Sequence, residues 1–430
     1  MNLDPVPGGS RGEPELLYVN FNQDNTCICV GTTFGYQLIG LNSVETNLTI
    51  LHDSFKENSS NKEETYLVER LFSSSLVAVV TQAQKRKLKL CHFKKATEIC
   101  SYNYSDSILA LKLNRQRLLV LLETSLYIHN IRDMKVLHTI RDTPRNKNGV
   151  CALSIDSEKN YIAYPSSSQT GEVQIFDAMN LKAISVIGAH DSVLAAMNFS
   201  QSGEKLATAS EKGTLIRVFS VPDGTKLFEF QRGVARSVTI NSLAFGYDDM
   251  FLAACSNTET VHLFKVAEQP SEPTTEDSSS SGWMSYVGKA LMSSASYLPS
   301  NMSDVLTRSR HFSHAKLESA SAKNICAVTQ TTKDRVPLLL VITADGRLHV
   351  FSFDPKDHQK ESKLLKCHNV LDLPPSDDVP DAGTTSQQPH HQGGLINQPL
   401  PTHPSDLPSG SNEPSSRDDD EPPNLYSTKT

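Results

Sequence analysis

Seven stretches of this chain are built alike, and the distance between them limits what it can fold into. Each holds short apolar runs rich in β-branched and aromatic residues, separated by Gly, Asn, Asp and Ser turns: 17–41, 68–93, 108–140, 151–186, 195–230, 242–266 and 325–353. Up to residue 266 almost nothing has the 3.6-residue period of an amphipathic helix, so the body reads as all-β. Val19, Arg70, Lys112, Ser154, Asn198, Ala244 and Val328, one first-strand residue per unit, lie 51, 42, 42, 44, 46 and 84 residues apart. Four of these gaps are at or close to the ~40–45 residues of a four-stranded propeller blade. The last equals one blade plus an insertion of about 40 residues after Val266. A solenoid would accept any repeat number, but seven four-stranded blades can close into a ring with only short protected edges. The expected fold is a seven-bladed β-propeller spanning 15–366, with a flexible stretch at 1–14 and an insertion in the sixth blade at 267–323.

The clearest unit runs Ala189-His190-Asp191-Ser192, Ala196 to Phe199, a Gly203 turn, Leu206 to Ser210, a Gly213 turn and Ile216 to Phe219. It resembles a WD40 blade, with Ala-His for Gly-His and Val-Phe for the Trp-Asp ending. The fold class is therefore a WD40-like propeller. Residues 367–430, rich in Pro, Ser and Asp, hold too few large apolar side chains to offset the entropy of ordering, and read as a disordered acidic tail. Residues 371–430 carry ten Asp/Glu against two Lys/Arg, a net of −8; the whole chain is −7, so residues 1–370 come to about +1. A near-neutral body lacks the basic face that nucleic-acid binding needs, and no nucleic-acid partner is expected.

No run of about eighteen apolar residues occurs, which argues against a membrane span, and the first fifteen residues hold no apolar core of a signal peptide. The expectation is a cytoplasmic chain with its eight cysteines reduced, since they sit mostly in strand-like runs without CxxC pairs. No metal or cofactor is expected; His390 and His391 lie in a tract with no fixed geometry. The chain has no P-loop, GxSxG elbow, HExxH or GxGxxG following a strand, so the expectation is a protein without catalytic function.

The informative segment is Phe230-Gln231-Arg232-Gly233, with Arg236 shortly after, placing positive charge between two units. Four further segments accompany it: Asn20 to Asp24, Val68 to Ser75, Leu126 to Ile131 and Ser256 to His262. In kind and order these resemble the PROPPINs, the phosphoinositide-binding β-propellers of the WD-repeat type, whose signature at this place is Phe-Arg-Arg-Gly. The resemblance covers roughly 15–355 and points to an autophagy-type member.

It implies two headgroup pockets. One would use His190, Thr208, Ser210, Gly213, Thr214 and Arg217, the other Arg232, Gly233, Ser256, Thr260 and His262. Independently, neighbouring residues on a strand point to opposite sides, so adjacent arginines can serve two pockets. Arginine suits phosphate because its planar fork gives charge-assisted, often bidentate bonds. Gln231 stands where the family's first arginine belongs, and Ala235 where a cation is common, so the second pocket is expected to dominate. The plain alternative is that these are ordinary blade-turn residues.

In the insertion, Trp283, Tyr286, Val287, Ala290 and Leu291 follow the spacing of one helical face. With Met284 they form an apolar segment that can lie in a lipid interface, which the resemblance also implies; the alternative is a helix packed on the propeller's own side. Arg115 and Arg132, both on the third unit, match arginines by which autophagy members bind the coiled-coil adaptor of the ubiquitin-like lipid-conjugation machinery; solvated surface charge is the alternative. The resemblance thus implies an effector of phosphatidylinositol 3-phosphate and 3,5-bisphosphate, peripheral on phagophore and endosomal membranes. Two other readings remain open: a WD-repeat scaffold that binds only proteins, and a phosphoinositide effector of endolysosomal traffic.

Overall fold

In the computed structural model, residues 1–3, 13–54, 63–233, 237–266, 312–357 and 360–373 are described, all within the unit Met1–Asp377. They form seven four-stranded antiparallel sheets, each made of four strands consecutive in sequence. The blades span 16–53, 65–103, 110–141, 152–190, 194–231, 240–316 and 324–369. The chain is therefore the seven-bladed propeller expected.

Inner strands are apolar because neighbouring blades bury both of their faces. Cys27–Thr32 and Phe251–Ser256 are buried at every residue. Outer strands such as Thr97–Asn103 and Lys363–Asn369 are largely exposed and lose the alternation that marks a half-buried strand. The fourth strand is for this reason hard to read from sequence. In blade six it is Ser313–Lys316, which falls inside the stretch read as insertion, so the insertion runs only between the strands Thr260–Lys265 and Ser313–Lys316. The last strand likewise continues to Asn369, past the boundary expected at 366. Ahead of blade one, where a flexible stretch is expected, Met1 to Leu3 run beside its first strand: the Leu3 N–H donates to the Leu17 carbonyl at 2.8 Å and the Val19 N–H to that of Met1 at 3.1 Å.

Apolar clusters straddle neighbouring blades all round the ring. Blade seven meets blade one through Ile325, Leu340, Leu348 and Val350 against Val19, Ile28, Val30 and Ile39. No strand is exchanged across that seam among the described residues. Closure therefore rests on this packing, with polar ties from His368 Nε2 to the Val44 carbonyl at 2.7 Å and from the Thr332 hydroxyl to the Asn42 carbonyl at 3.2 Å.

A four-strand meander sorts its loops onto two rims. The first-to-second and third-to-fourth turns lie at one rim; the second-to-third turn and the connection to the next blade lie at the other. Residues far apart in sequence meet on these rims.

Leu340→Ala, at a fully buried seam position, should cost about 2–5 kcal/mol of unfolding free energy by leaving a cavity. Urea denaturation followed by tryptophan-independent circular dichroism measures it, and a smaller loss than Leu51→Ala on the exposed edge of blade one would contradict closure by packing.

Candidate functional site

Alternation along the last strand of blade five, Lys226–Gln231, sets up the site. Phe230 points inward, almost fully buried and stacked on Phe264 of blade six at 4.8 Å. The chain then leaves the strand with Arg232, on the rim that carries the second-to-third turns. The Arg232 N–H donates to the Thr214 carbonyl at 2.9 Å, anchoring the connection to the blade-five turn. Its guanidinium Nη2 donates to the Thr258 hydroxyl at 3.1 Å, and Thr258 pairs with the Ser256 hydroxyl at 2.9 Å. One guanidinium and two hydroxyls thus meet between blades five and six.

Of the residues expected in the second pocket, Arg232 and Ser256 are joined through Thr258, which sequence reasoning passed over. The signal was present in Ser256-Asn257-Thr258-Glu259-Thr260, where three hydroxyls alternate around a turn. Thr260 and His262 lie on the following strand, His262 buried and stacked on Phe264 at 6.1 Å. Gly233 has open space where a Cβ would stand, so nothing packed around it demands glycine.

The first pocket has the same layout in blade five. His190 ends blade four, Thr208 and Ser210 end the second strand of blade five, Gly213 and Thr214 form the turn, and Arg217 lies on the third strand opposite Thr208. Gly213 is required there: its φ is +60°, and a Cβ would meet the Val238 carbonyl oxygen at 1.9 Å. The Thr208 hydroxyl donates to the Arg217 carbonyl at 3.4 Å, leaving its oxygen to accept from His190 Nε2 at 3.0 Å.

Arg217 is already engaged. Its Nε pairs with Glu229 Oε2 at 2.7 Å, its Nη1 donates to the Ala189 carbonyl at 2.6 Å, and Lys226 reaches the same Glu229 oxygen at 3.3 Å. A carboxylate and a carbonyl therefore already hold this guanidinium. Burial, and next the charge of Arg217, lower the His190 pKa to about 4, so its ring is neutral at pH 7.

Arg115 and Arg132 occupy the opposite rim, on the first-to-second and third-to-fourth turns of blade three. Both are exposed, and the Ile131 N–H joins their turns by donating to the Gln116 carbonyl at 3.0 Å. The Arg115 guanidinium lies 4.1 Å over the Phe72 ring of blade two, a cation–π contact that fixes its direction. Below Arg132, His129 bonds the Met134 carbonyl and the Tyr104 hydroxyl, each at 2.8 Å. The carbonyl can only accept, so His129 carries its proton on Nδ1. Trp283, Met284, Tyr286, Val287 and Leu291, with Arg236 and the acidic tail beyond residue 373, lie outside the described residues.

A closed ring of seven four-stranded blades, with a guanidinium and two hydroxyls gathered where blades five and six meet, defines a WD-type propeller with a polar rim. The PROPPIN family model matches residues 15–371, and the chain belongs to that family. It is 53% identical to WD repeat domain phosphoinositide-interacting protein 2 of Mus musculus, over 86% of this chain and 80% of the relative. It is 37% identical to Autophagy-related protein 18 of Caenorhabditis elegans, over 88% and 90%. The solved complex of KlAtg21 with the coiled-coil of AgAtg16 is similar at 26% identity, with TM-score 0.63, over 83% of this chain and 99% of that one.

A histidine whose folded pKa is depressed binds its proton more readily when unfolded. His190 therefore contributes stability that is full above pH 6.5 and is lost as pH falls toward 4, by about 3 kcal/mol at most. Urea unfolding at pH 7 and pH 4.5 should show a smaller acid loss for His190→Gln than for the unmodified chain; equal losses would contradict this.

Proposed function

We propose that this propeller is a phosphoinositide effector: it docks on membranes by reading 3-phosphorylated inositol headgroups, the 3-phosphate and the 3,5-bisphosphate, and recruits autophagy machinery there. The observation that carries this reading is the Arg232–Thr258–Ser256 cluster, a guanidinium held among hydroxyls at the blade-five to blade-six rim. Such a group supplies charge-assisted and neutral donors to phosphate oxygens together. The name of the mouse relative refers to phosphoinositides, and that of the worm relative to autophagy, which supports the same reading.

The second pocket, Arg232, Gly233, Ser256, Thr260 and His262 with Thr258 added, supplies most of the affinity. In the first pocket Glu229 competes for Arg217, and Gln231 lacks the charge of the family's arginine. Two pockets of unequal strength gain by acting on one membrane together with the blade-six insertion, whose apolar face would enter the lipid interface. The protein acts by binding rather than by catalysis, and is peripheral on phagophore and endosomal membranes.

On the far rim, Arg115 and Arg132 would meet an acidic segment of the coiled-coil adaptor. The similar complex of KlAtg21 with the AgAtg16 coiled-coil supports a partner of that kind. Placing lipid and adaptor on opposite rims lets one propeller hold both.

Flotation with phosphatidylcholine vesicles containing phosphatidylinositol 3-phosphate tests the lipid reading. Arg232→Ala should weaken binding about ten- to a hundredfold, the worth of one charge-assisted hydrogen bond. Gln231→Arg and Glu229→Gln should each strengthen it; equal affinity of all variants with the unmodified chain would sink the proposal. Arg132→Glu should abolish capture of the adaptor's acidic coiled-coil segment while leaving flotation unchanged, and a matched loss of flotation would contradict the two-rim arrangement.

A further inference from the structure

Blade six repeats the strand register of blade five, and the repeat brings one more cation to the second pocket. In blade five the third and fourth strands pair Arg217 with Glu229 and Leu215 with Gln231. In blade six the same two strands pair His262 with His314 and Thr260 with Lys316. Position for position, His314 stands where blade five has Glu229, and Lys316 stands where it has Gln231. The carboxylate that holds Arg217 in the first pocket thus has no counterpart here, and an uncharged amide is replaced by an ammonium.

The pairing also fixes which way Lys316 faces. Directly opposed residues of paired strands share a face, with Cβ atoms about 4.5–5.5 Å apart. Along Thr260–Lys265, alternation puts Thr260, His262 and Phe264 on one face and Val261 and Leu263 on the other. Phe264 stacks on Phe230 of blade five at 4.8 Å, whereas Val261, Leu263 and Ala315 join the apolar cluster shared with blade seven. His314 and Lys316 therefore face blade five, the side from which Arg232 arrives. The turn between them is short: Thr258, which accepts from Arg232 Nη2 at 3.1 Å, has its hydroxyl 3.5 Å from the Thr260 carbonyl. Beside it the Leu317 N–H donates to the Glu259 carbonyl at 2.8 Å, holding the end of the outer strand against this turn.

Lys316 is exposed, and its ammonium makes no hydrogen bond or ion pair with any described residue. It differs in this from Arg217, which Glu229 and the Ala189 carbonyl already engage. We propose that Lys316 is a headgroup ligand of the second pocket and sets its lipid preference: Arg232 on the blade-five wall and Lys316 on the blade-six wall hold two phosphates of one inositol ring, so this pocket favours the 3,5-bisphosphate over the 3-phosphate. A guanidinium fork grips one phosphate, and an ammonium offers three donors to the other. Ser256, Thr258 and Thr260 lie between them with hydroxyls for the ring. The inference rests on the phosphoinositide reading of this site and adds which lipid the site selects and by which residue.

Flotation of the full chain with phosphatidylcholine vesicles carrying either phosphatidylinositol 3-phosphate or the 3,5-bisphosphate tests this. Lys316→Gln, on an exposed side chain, should weaken binding to the 3,5-bisphosphate about tenfold, the worth of a charge-assisted hydrogen bond, and binding to the 3-phosphate by no more than about twofold. Lys316→Arg should keep the preference. Combined with Arg232→Ala, Lys316→Gln should cost less than the product of the two single losses, because groups that hold one ligand together do not act independently. An equal loss on both lipids, no loss on either, or fully multiplicative losses with Arg232→Ala would overturn the proposal. So would an equal loss on vesicles of phosphatidylserine without phosphoinositide, which would make Lys316 a contact for bilayer charge. An unmodified chain that bound neither phosphoinositide would bring down the earlier reading and this one with it, whereas the other outcomes leave that reading standing.

Discussion

The apolar seam between neighbouring blades is the constraint on which the rest depends. The Arg232 and Arg115 clusters on the two rims are each assembled from two adjacent blades, so their geometry is only as fixed as the packing beneath them. The Arg232 cluster joins the end of blade five to a turn of blade six, and beneath it Phe230 stacks on Phe264. The Arg115 contact joins blade three to Phe72 of blade two. With no strand exchanged between blades seven and one among the described residues, the ring holds this register by side-chain burial. Burial of this kind is non-directional, and the blade-to-blade hydrogen bonds supply the direction it lacks.

One repeated framework serves different chemistry by changing a few side chains. The third-strand position that is Arg217 in blade five is His262 in blade six and His349 in blade seven. In blade five a carboxylate from the next strand, Glu229, neutralises the arginine. In blade six Arg232 arrives from the inter-blade connection and meets hydroxyls. In blade seven Glu318 and Asp345 reverse the sign around Arg347. The backbone stays the same because the turn residues that fix it, such as Gly213, are separate from the residues that set the charge.

Much of the fold was legible because inner strands are apolar on both faces and recur at blade spacing. The fourth strands were not, since Thr97–Asn103 and Lys363–Asn369 face solvent along most of their length. Ser313–Lys316 was hidden further by the insertion before it. In the candidate site, Arg232, Ser256 and His190 could be singled out from their residue types beside a recognisable motif. Thr258 was legible only as one of three hydroxyls alternating through Ser256, Thr258 and Thr260; which of them a guanidinium from another blade reaches is set by the fold.

Residue order alone determined the number of blades, the all-β class and the family, because those follow from periodicity and from motifs local in the chain. It also set the charge balance that separates a near-neutral body from an acidic tail. Tertiary structure decided which charges are already spent. Arg217 and Glu229 are twelve residues apart and become partners only because two strands pair in one register. His190 is a common surface residue type whose proton affinity drops only when blade packing removes its water. Pairing and burial depend on distances through space, and those exist only once the ring has closed.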